Sequence, residues 1–319
     1  MMPQKSAERT VVVPLLFIAT VLAGMLSPMQ SAVNGQVGKE LGDGNLSAVV
    51  SFASGLVVMT IIILSQGSTR KGFASIPHKI TAHRIPWWNW VAGCCGAMVV
   101  FSEGATASVL GVATFQTTLI SGMVISGLAC DRLGIGVDSK QPFSIPRVLG
   151  AILAIVATVL VVLPNWQMPK VIALAVLPFL AGLLAGWQPA GNSAVARETG
   201  SMLVSITWNF LVGFCILASV LLVRFAMGQV TPGLPSDWWM YLGGPLGLLS
   251  IALMALLVRG LGLLLLGLAS TAGQLIGSVL IDWLVPALGN QVYFVTILGA
   301  FVALVGAGIA MMPSAQKPL

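Results

Sequence analysis

Two pairs of amide side chains stand four residues apart in the chain, each within an apolar stretch. Gln30 and Asn34 form the first pair, and Gln188 and Asn192 form the second pair 158 residues later. Residues four apart lie on the same face of a helix, one turn from each other. An amide in an apolar helix can line a substrate pathway or hydrogen-bond to a neighbouring helix. Both interpretations stay open from the sequence alone.

Helix-disturbing residues accompany both amide pairs. Pro28 lies beside the first pair, and Gly186 and Pro189 lie beside the second. Proline removes a backbone hydrogen bond and frees a carbonyl oxygen. Interrupted helices at matching positions of two repeats are typical of the substrate site of a transporter. The pattern therefore predicts that the four amides converge on one central cavity for a small-molecule substrate.

The segments around the amides are copies of each other. Residues 22–55 and 180–213 align without a gap and share 13 identities, among them the Gln, Asn and Glu positions that an apolar composition does not explain. Downstream, the match continues at an offset of 151, where Asp131 falls on Asp282. The chain is therefore predicted to contain two repeats, residues 1–168 and 169–319.

Composition places these repeats in a membrane. Charged residues make up 8% of the chain, hydrophobic residues make up 57%, and the mean hydropathy is +0.98. Water-soluble proteins carry about a quarter charged residues, and each apolar run here is long enough to cross the ~30 Å hydrocarbon layer as a helix. We expect an all-α polytopic protein with ten spans: 11–36, 46–66, 87–103, 108–130, 147–164, 171–195, 203–224, 239–258, 260–281 and 291–312. Gly104 and Arg259-Gly260 mark the two shortest connections.

Basic residues give the orientation of these spans. With the N-terminus in the cytoplasm, twelve Lys and Arg residues fall on the cytoplasmic side and three fall outside. This positive-inside asymmetry predicts that both termini are cytoplasmic. Five spans per repeat is an odd number, so the two repeats must be inverted relative to each other. The basic loop 70–84 follows the same orientation rule, and no nucleic-acid partner is expected.

Three acidic residues fall within the predicted spans or at their ends. Asp131 and Asp282 match each other, whereas Glu103 matches Met254 and has no acidic counterpart. Counting from the start of span three puts Glu103 near the outer end, which favours an interfacial carboxylate. An apolar environment disfavours the charged form, however, and so suits reversible protonation. We therefore consider Glu103 first, and then Asp131 and Asp282, as candidates for proton coupling.

Spans four and nine carry further polar side chains. Gln116 in span four and Gln274 in span nine join the four paired amides as candidate substrate ligands. Lys39-Glu40 and Arg197-Glu198 precede glycines, a pattern typical of helix ends at the membrane interface. The cysteines and histidines lack the spacing of a metal site, and no G-x-x-x-x-G-K loop is present. We expect neither a metal nor a cofactor.

The repeated motif resembles a known family. Residues 29–34 (Met-Gln-Ser-Ala-Val-Asn), the charged pair and Gly42 that follow, and the Gly273–Ser278 segment before Asp282 are similar to the YdcZ-type family of the drug/metabolite transporter superfamily. Met123 departs from this pattern, which has Gln at that position. The resemblance implies two fused five-span units that form a secondary transporter in the inner membrane of a bacterium.

On this interpretation the chain is not an enzyme. We expect it to move a small metabolite or amphipathic compound, as an exporter, by alternating access with proton coupling. A membrane-embedded enzyme and a channel are the alternatives, and a homodimer stays open.

Overall fold

The chain is helical throughout the part that the structure describes. The computed structural model describes residues 4–135, 140, 144–165, 169–285 and 292–312, without the side chains of residues 4–13, 165, 171, 258, 259, 263 and 264. Within these ranges there is no strand. Nine helical segments are long and apolar enough to cross a membrane, and Phe294–Ala310 forms a shorter apolar helix. The described residues therefore contain the ten spans expected of an all-α membrane protein.

The helices are numbered in chain order. They are α1 (Gln4–Gly24), α2 (Leu26–Leu41), α3 (Gly44–Ser65), α4 (Gly67–Ala74), α5 (Ile76–Thr81), α6 (Trp87–Trp90), α7 (Gly93–Leu110), α8 (Val112–Leu133), α9 (Ile145–Val162), α10 (Pro169–Thr199), α11 (Met202–Ala226), α12 (Gly243–Leu284) and α13 (Phe294–Ala310). Short 3₁₀ turns cover Leu163–Asn165 and Trp238–Leu242. Spans one to ten are α1 with α2, α3, α7, α8, α9, α10, α11, the two parts of α12, and α13. We call the face where the described chain begins and ends the terminal face, and the other the opposite face.

Two glycines divide the hairpins between spans three and four and between spans eight and nine. Gly111 has φ 86° and ψ 150°, and Gly262 has φ 74° and ψ 168°. These dihedral angles are easily reached only by a residue without a Cβ atom. The expected break at Gly104 is therefore seven residues too early, and the one at Arg259-Gly260 is two residues too early. Gly104 lies inside α7, where its missing side chain lets Ser47 approach the helix closely.

The expected interruption of the repeated first helix occurs in one repeat only. The first span has a one-residue break at Met25, between α1 and α2, and the backbone of Met25 itself stays in the right-handed helical region. The matching span six is the single helix α10, with Pro178 and Pro189 inside it. The prediction of two matching interruptions is thus wrong, because α10 continues through both prolines as one helix.

The two repeats contact each other reciprocally. Phe52 and Phe210 occupy matching positions, and their rings contact each other at a 41° tilt with centroids 5.1 Å apart. A Cβ atom at Gly55 would touch Phe210, and one at the matching Gly213 would touch Phe52. A contact in which each partner touches its own counterpart lies on a twofold axis. Spans two and seven therefore meet at the pseudo-twofold axis of an inverted repeat.

Each repeat also packs its first span on the fourth span of the other. Gly24 of span one contacts Gly273 of span nine, and the matching Gly182 of span six contacts Gly122 of span four. Small residues at these crossings let the helix backbones approach closely, which is how helices associate in lipid. The repeats are consequently interleaved, with the first span of each repeat packed against the other half of the chain.

Candidate functional site

Glu103 is buried inside the helical bundle. Only 2% of its surface is exposed, although it lies seven residues before the end of α7. The expectation of an interfacial carboxylate is therefore wrong. The position follows from the longer span: α7 continues to Leu110, so Glu103 is more than one helical turn from its end.

Two neutral side chains hydrogen-bond to the Glu103 carboxylate, and two more extend this network. The Ser31 hydroxyl lies 2.8 Å from Oε1, and the Asn34 amide donates to Oε2 over 2.6 Å. Gln116 of α8 donates through Nε2 to Ser31 over 2.9 Å, and Ser27 lies 3.3 Å from the same nitrogen. We call these five residues the Glu103 cluster, and it joins spans one, three and four.

Close helix packing brings the Glu103 cluster together. Ser27, Ser31 and Asn34 lie on one face of α2, because spacings of four and three residues return to the same side of a helix. Next to them, Gly35 and Gly38 leave no side chain between α2 and α7, so a Cβ atom at Gly38 would overlap the backbone of Gly104. The small residues therefore hold the carboxylate within hydrogen-bond distance of α2.

The hydrogen-bond count fits either protonation state of Glu103. Ser31 Oγ also lies 3.2 Å from the Ser27 carbonyl oxygen. With an ionised Glu103, the Ser31 hydroxyl donates to the carboxylate. With a protonated Glu103, the carboxyl donates to Ser31, whose hydroxyl turns to the Ser27 carbonyl. No Lys or Arg hydrogen-bonds to or forms an ion pair with Glu103 among the described residues. A charge is costly to bury without such a partner, which favours the neutral form here.

The second amide pair forms a different cluster. Asn209 of α11 donates to Asn192 Oδ1 over 2.7 Å and accepts a hydrogen bond from Gln188 over 3.2 Å. In both repeats a serine of the next span donates to the backbone carbonyl of the asparagine at 2.7 Å: Ser47 to Asn34, and Ser205 to Asn192. The helix positions are thus repeated, whereas the amide partners are not.

The two glutamines of the pairs face glycines of the other repeat. A Cβ atom at Gly247 of span eight would lie 2.7 Å from Gln30, and one at the matching Gly96 would lie 2.8 Å from Gln188. Gln274 hydrogen-bonds to Ser270 within its own helix. The structure therefore brings Asn34, Gln116 and Glu103 together, groups Gln188 with Asn192, and leaves Gln30 and Gln274 in separate contacts. Convergence of the amides on one cavity stays a prediction.

Sequence analysis did not identify Ser27 or Asn209 as parts of these clusters. Serine and asparagine are common helix-packing residues, so their identity alone carries little information. The signal that could have found Ser27 is its spacing of four and seven residues from Ser31 and Asn34, which completes a polar stripe on α2. Asn209 had a weaker signal, because its counterpart in the first repeat is Ser51.

Asp131 and Asp282 lie at opposite faces in unlike environments. Asp131 ends α8 at the terminal face, with 31% of its side chain exposed, and pairs with Arg147 at 3.3 Å. Asp282 is 6% exposed and accepts hydrogen bonds from the backbone N–H groups of Val112 and Ala113, at 2.9 and 2.8 Å. Neither residue belongs to the Glu103 cluster.

An ion pair and a cavity lie at the opposite face. Asp43 caps α3 through the Leu46 N–H and accepts two hydrogen bonds from Arg224, the shorter at 2.6 Å. Burial alone would raise the pKa of Asp43, but the Arg224 hydrogen bond, the Leu46 N–H and the Arg224 charge hold that pKa below its ordinary value. The cavity beside it is about 680 Å³, with an apolar lining that includes Met98 and Phe101.

Comparison with known proteins gives one family match. The sequence model of DMT_YdcZ, described as "Putative inner membrane exporter, YdcZ", matches residues 15–160 and again residues 173–309. Each match covers five spans, so the family unit occurs twice in the chain. No curated protein matches the sequence.

Proposed function

The chain belongs to the DMT_YdcZ family, and from this premise we propose that it is a secondary transporter that exports a small metabolite or amphipathic compound by alternating access. The molecule has two repeats, residues 1–168 and 169–319, which can exchange their conformations. This exchange gives the two states of such a cycle. In one arrangement a central site communicates with one face, and in the inverted arrangement it communicates with the other. Transport, rather than catalysis, is the function that this duplication supports.

The single observation that carries proton coupling is the environment of Glu103. The carboxyl is 2% exposed, hydrogen-bonds to the neutral side chains of Ser31 and Asn34, and keeps these hydrogen bonds in either protonation state. A coupling group must bind and release its proton during the cycle without a large penalty in either form. Glu103 also lies on the seam between spans one and three, so opening that seam would hydrate the carboxyl and favour its ionised form.

We place the terminal face in the cytoplasm. Among the residues with described side chains, Arg70, Lys71, Lys79 and Arg84 lie on this face in a single loop, in agreement with the positive-inside rule. With this orientation, Glu103 would be protonated from the outside, and substrate would leave the cytoplasm in exchange for the proton. The cavity beside Asp43 and Arg224 would then form part of the outer vestibule, and its apolar lining suits an amphipathic compound.

Proteoliposomes provide the test of this function. Uptake of labelled candidate metabolites is measured with and without an imposed pH gradient for the unchanged protein, Glu103→Gln and Glu40→Gln. Glutamine keeps the shape of the protonated carboxyl but cannot release a proton. We expect Glu103→Gln to lose accumulation driven by the gradient while it still exchanges substrate at equal pH.

Glu40→Gln is the matched control for this substitution. Glu40 is an exposed acid at the end of α2 that accepts hydrogen bonds from Ser236, so its removal should leave coupling intact. Gradient-driven accumulation by Glu103→Gln at the level of the unchanged protein would overturn the coupling role. Absence of transport for every compound tested, with the protein inserted and folded, would count against the transporter assignment for those substrate classes.

A further inference from the structure

A carboxylate of one repeat caps a helix of the other at the opposite face. The N-terminus of α8 follows Gly111 and has no cap from its own flanking residue. Its first N–H groups, of Val112 and Ala113, donate instead to Asp282 of span nine. The first turn of a helix has unpaired N–H groups and a partial positive charge, so a buried carboxylate stabilises it. This contact ties spans four and nine together at the opposite face.

The inverted repeat contains the same elements at the terminal face. Gly262 matches Gly111 and has the same kind of backbone conformation, so a new helical segment begins there as well. Asp131 matches Asp282 and lies on the same face of the molecule as Gly262. Unlike Gly111, Gly262 is exposed, and a Cβ atom placed on it meets no described atom within 4 Å. Asp131 is also partly exposed and pairs with Arg147.

The surrounding helices are also packed more tightly at the opposite face than at the terminal face. At the opposite face α2 packs against α7, and α3 also packs against α7. In the described part of the chain, the corresponding spans six and seven make little contact with span eight. Val100 of span three is 6% exposed, whereas the matching Ile251 of span eight is 42% exposed. The opposite face is closed and the terminal face is open.

We propose that Asp282 and Asp131 are two latches of one gate, each of which caps the fourth span of the other repeat in one of the two transport states. In the state observed here Asp282 is engaged and Asp131 is released. In the inverted state Asp131 engages the N–H groups at the start of the second part of α12, and Asp282 is released. The inference rests on the alternating-access function proposed above.

Arg147 gives the gate a preferred state. It holds Asp131 in an ion pair and so competes with the helix N-terminus for the carboxylate. The residue that matches Arg147 in the second repeat is Thr296, which has no charge to compete for Asp282. The terminal-face latch therefore has a competitor, whereas the described residues place no cation against Asp282, and this difference favours the state that is open at the terminal face.

The test measures accessibility and needs no substrate. Thr114 lies beside the capped turn of α8 and is 4% exposed, whereas its counterpart Leu265 is 37% exposed. Thr114→Cys and Leu265→Cys are each introduced into a chain whose four native cysteines are replaced, and a membrane-impermeant maleimide is added from either side. In this background we expect rapid labelling at position 265 from the cytoplasmic side and protection at position 114.

Three substitutions then act on the latches. Asp282→Ala removes the acceptor of both N–H groups, and Arg147→Thr gives the first repeat the residue of the second. Each should speed labelling of Thr114→Cys from the outside at least tenfold. Asp131→Ala removes only the released latch and should leave position 114 protected.

The pattern of the three variants decides the proposal. Unchanged protection of position 114 in folded Asp282→Ala would overturn the role of Asp282. Unchanged protection in Arg147→Thr would overturn the competition, and loss of protection in Asp131→Ala would show that the two acids do not alternate. Where Asp282→Ala does not fold, Arg147→Thr still tests the gate, because it leaves the Asp282 contact in place. Failure of transport with the expected labelling would refute the proposed function alone.

Discussion

Asn34 and Asn192 occupy the same position in two copies of one helix and have different partners. Both accept a hydrogen bond from the following span through their backbone carbonyl, from Ser47 and Ser205. The Asn34 side chain donates to Glu103, whereas the Asn192 side chain accepts from Asn209. Duplication thus preserved the scaffold of the two halves, while their chemistry diverged.

Two substitutions account for this divergence. Glu103 is matched by Met254 in the second repeat, and Asn209 is matched by Ser51 in the first. One repeat therefore contains a titratable group beside its asparagine, and the other contains a neutral amide pair. Coupling in such a molecule would come from one repeat only, although both repeats move.

Replacing each asparagine by alanine should have the largest effect on transport, and the two effects should differ. When Glu103 is ionised during the cycle, its hydrogen bond from Asn34 contributes about 1.5–3 kcal/mol, against about 0.5–1.5 kcal/mol for the neutral Asn192–Asn209 pair. Asn34→Ala removes the donor to Glu103, so we expect at least a tenfold loss of gradient-driven accumulation in proteoliposomes. Asn192→Ala breaks only the contact with Asn209 and should cost less.

The same two variants can show that Asn34 and Asn192 do not differ in function. Equal losses in Asn34→Ala and Asn192→Ala would show that both amides contact substrate, as the sequence pattern predicts. No loss in either, with both proteins inserted and folded, would make the amides helix-packing residues. Exchange at equal pH separates these outcomes, because it does not require the coupling group.

Much of the fold could be predicted from the sequence because membrane helices follow simple rules. Ten apolar runs, a family unit that occurs twice and an odd number of spans per repeat lead to inverted halves, in agreement with the reciprocal Phe52–Phe210 contact. Helix ends were harder to predict, because the tight turns between spans three and four and between spans eight and nine consist of apolar residues. Hydropathy therefore does not change at these turns. Gly111 and Gly262 end their helices through backbone conformation, and nothing distinguishes them locally from Gly104.

The site was predictable as residue types and not as contacts. The amides and Glu103 stand out because polar groups are rare in this composition. Which of them meet depends on how closely α2 approaches α7, and that approach is set by Gly35, Gly38 and Gly104 together. A single sequence shows these glycines but not their pairing, so the joining of Asn34 to Glu103 required the structure.

A larger side chain between spans one and three, in the variant Gly38→Ala, tests whether tight packing keeps the opposite face closed. Gly38 matches Ala196 in the second repeat, so Gly38→Ala makes the closed face resemble the open one in sequence. The added methyl would overlap the Gly104 backbone, and such overpacking costs about 1–3 kcal/mol. We expect the opposite face to open, with faster maleimide labelling of Thr114→Cys by roughly tenfold.

Gly127→Ala is the matched control for Gly38→Ala. Gly127 lies within α8, and a Cβ atom there meets no described atom within 4 Å. This variant should keep the labelling rate and should unfold at the same temperature or slightly higher, because alanine is a better helix former than glycine. A Gly38→Ala protein with unchanged labelling and unchanged thermal stability would mean that the seam is not tightly packed.

The smallest expected effect concerns the turn between spans one and two. Asp43 matches Ser201, and both residues cap the next helix, through the N–H groups of Leu46 and Val204. Only Asp43 also pairs with Arg224. Asp43→Ser therefore keeps a cap and removes the ion pair, whereas Asp43→Ala removes both. A partly exposed ion pair contributes about 0.2–1 kcal/mol and a cap about 1 kcal/mol, so alanine should be the more damaging change.

The effect of Asp43→Ser on stability should depend on pH in a defined direction. The pKa of Asp43 is held below its ordinary value in the folded chain, so its contribution is present above the unfolded pKa of about 3.9 and is lost as pH falls through the lower folded pKa. Thermal unfolding in detergent should therefore separate Asp43→Ser from the unchanged protein at pH 7 and at pH 5 by the same small amount. The difference should shrink only below about pH 4. A difference that already disappears at pH 5 would mean that Arg224 does not hold the carboxylate, and the two turns would then be equivalent despite their different residues.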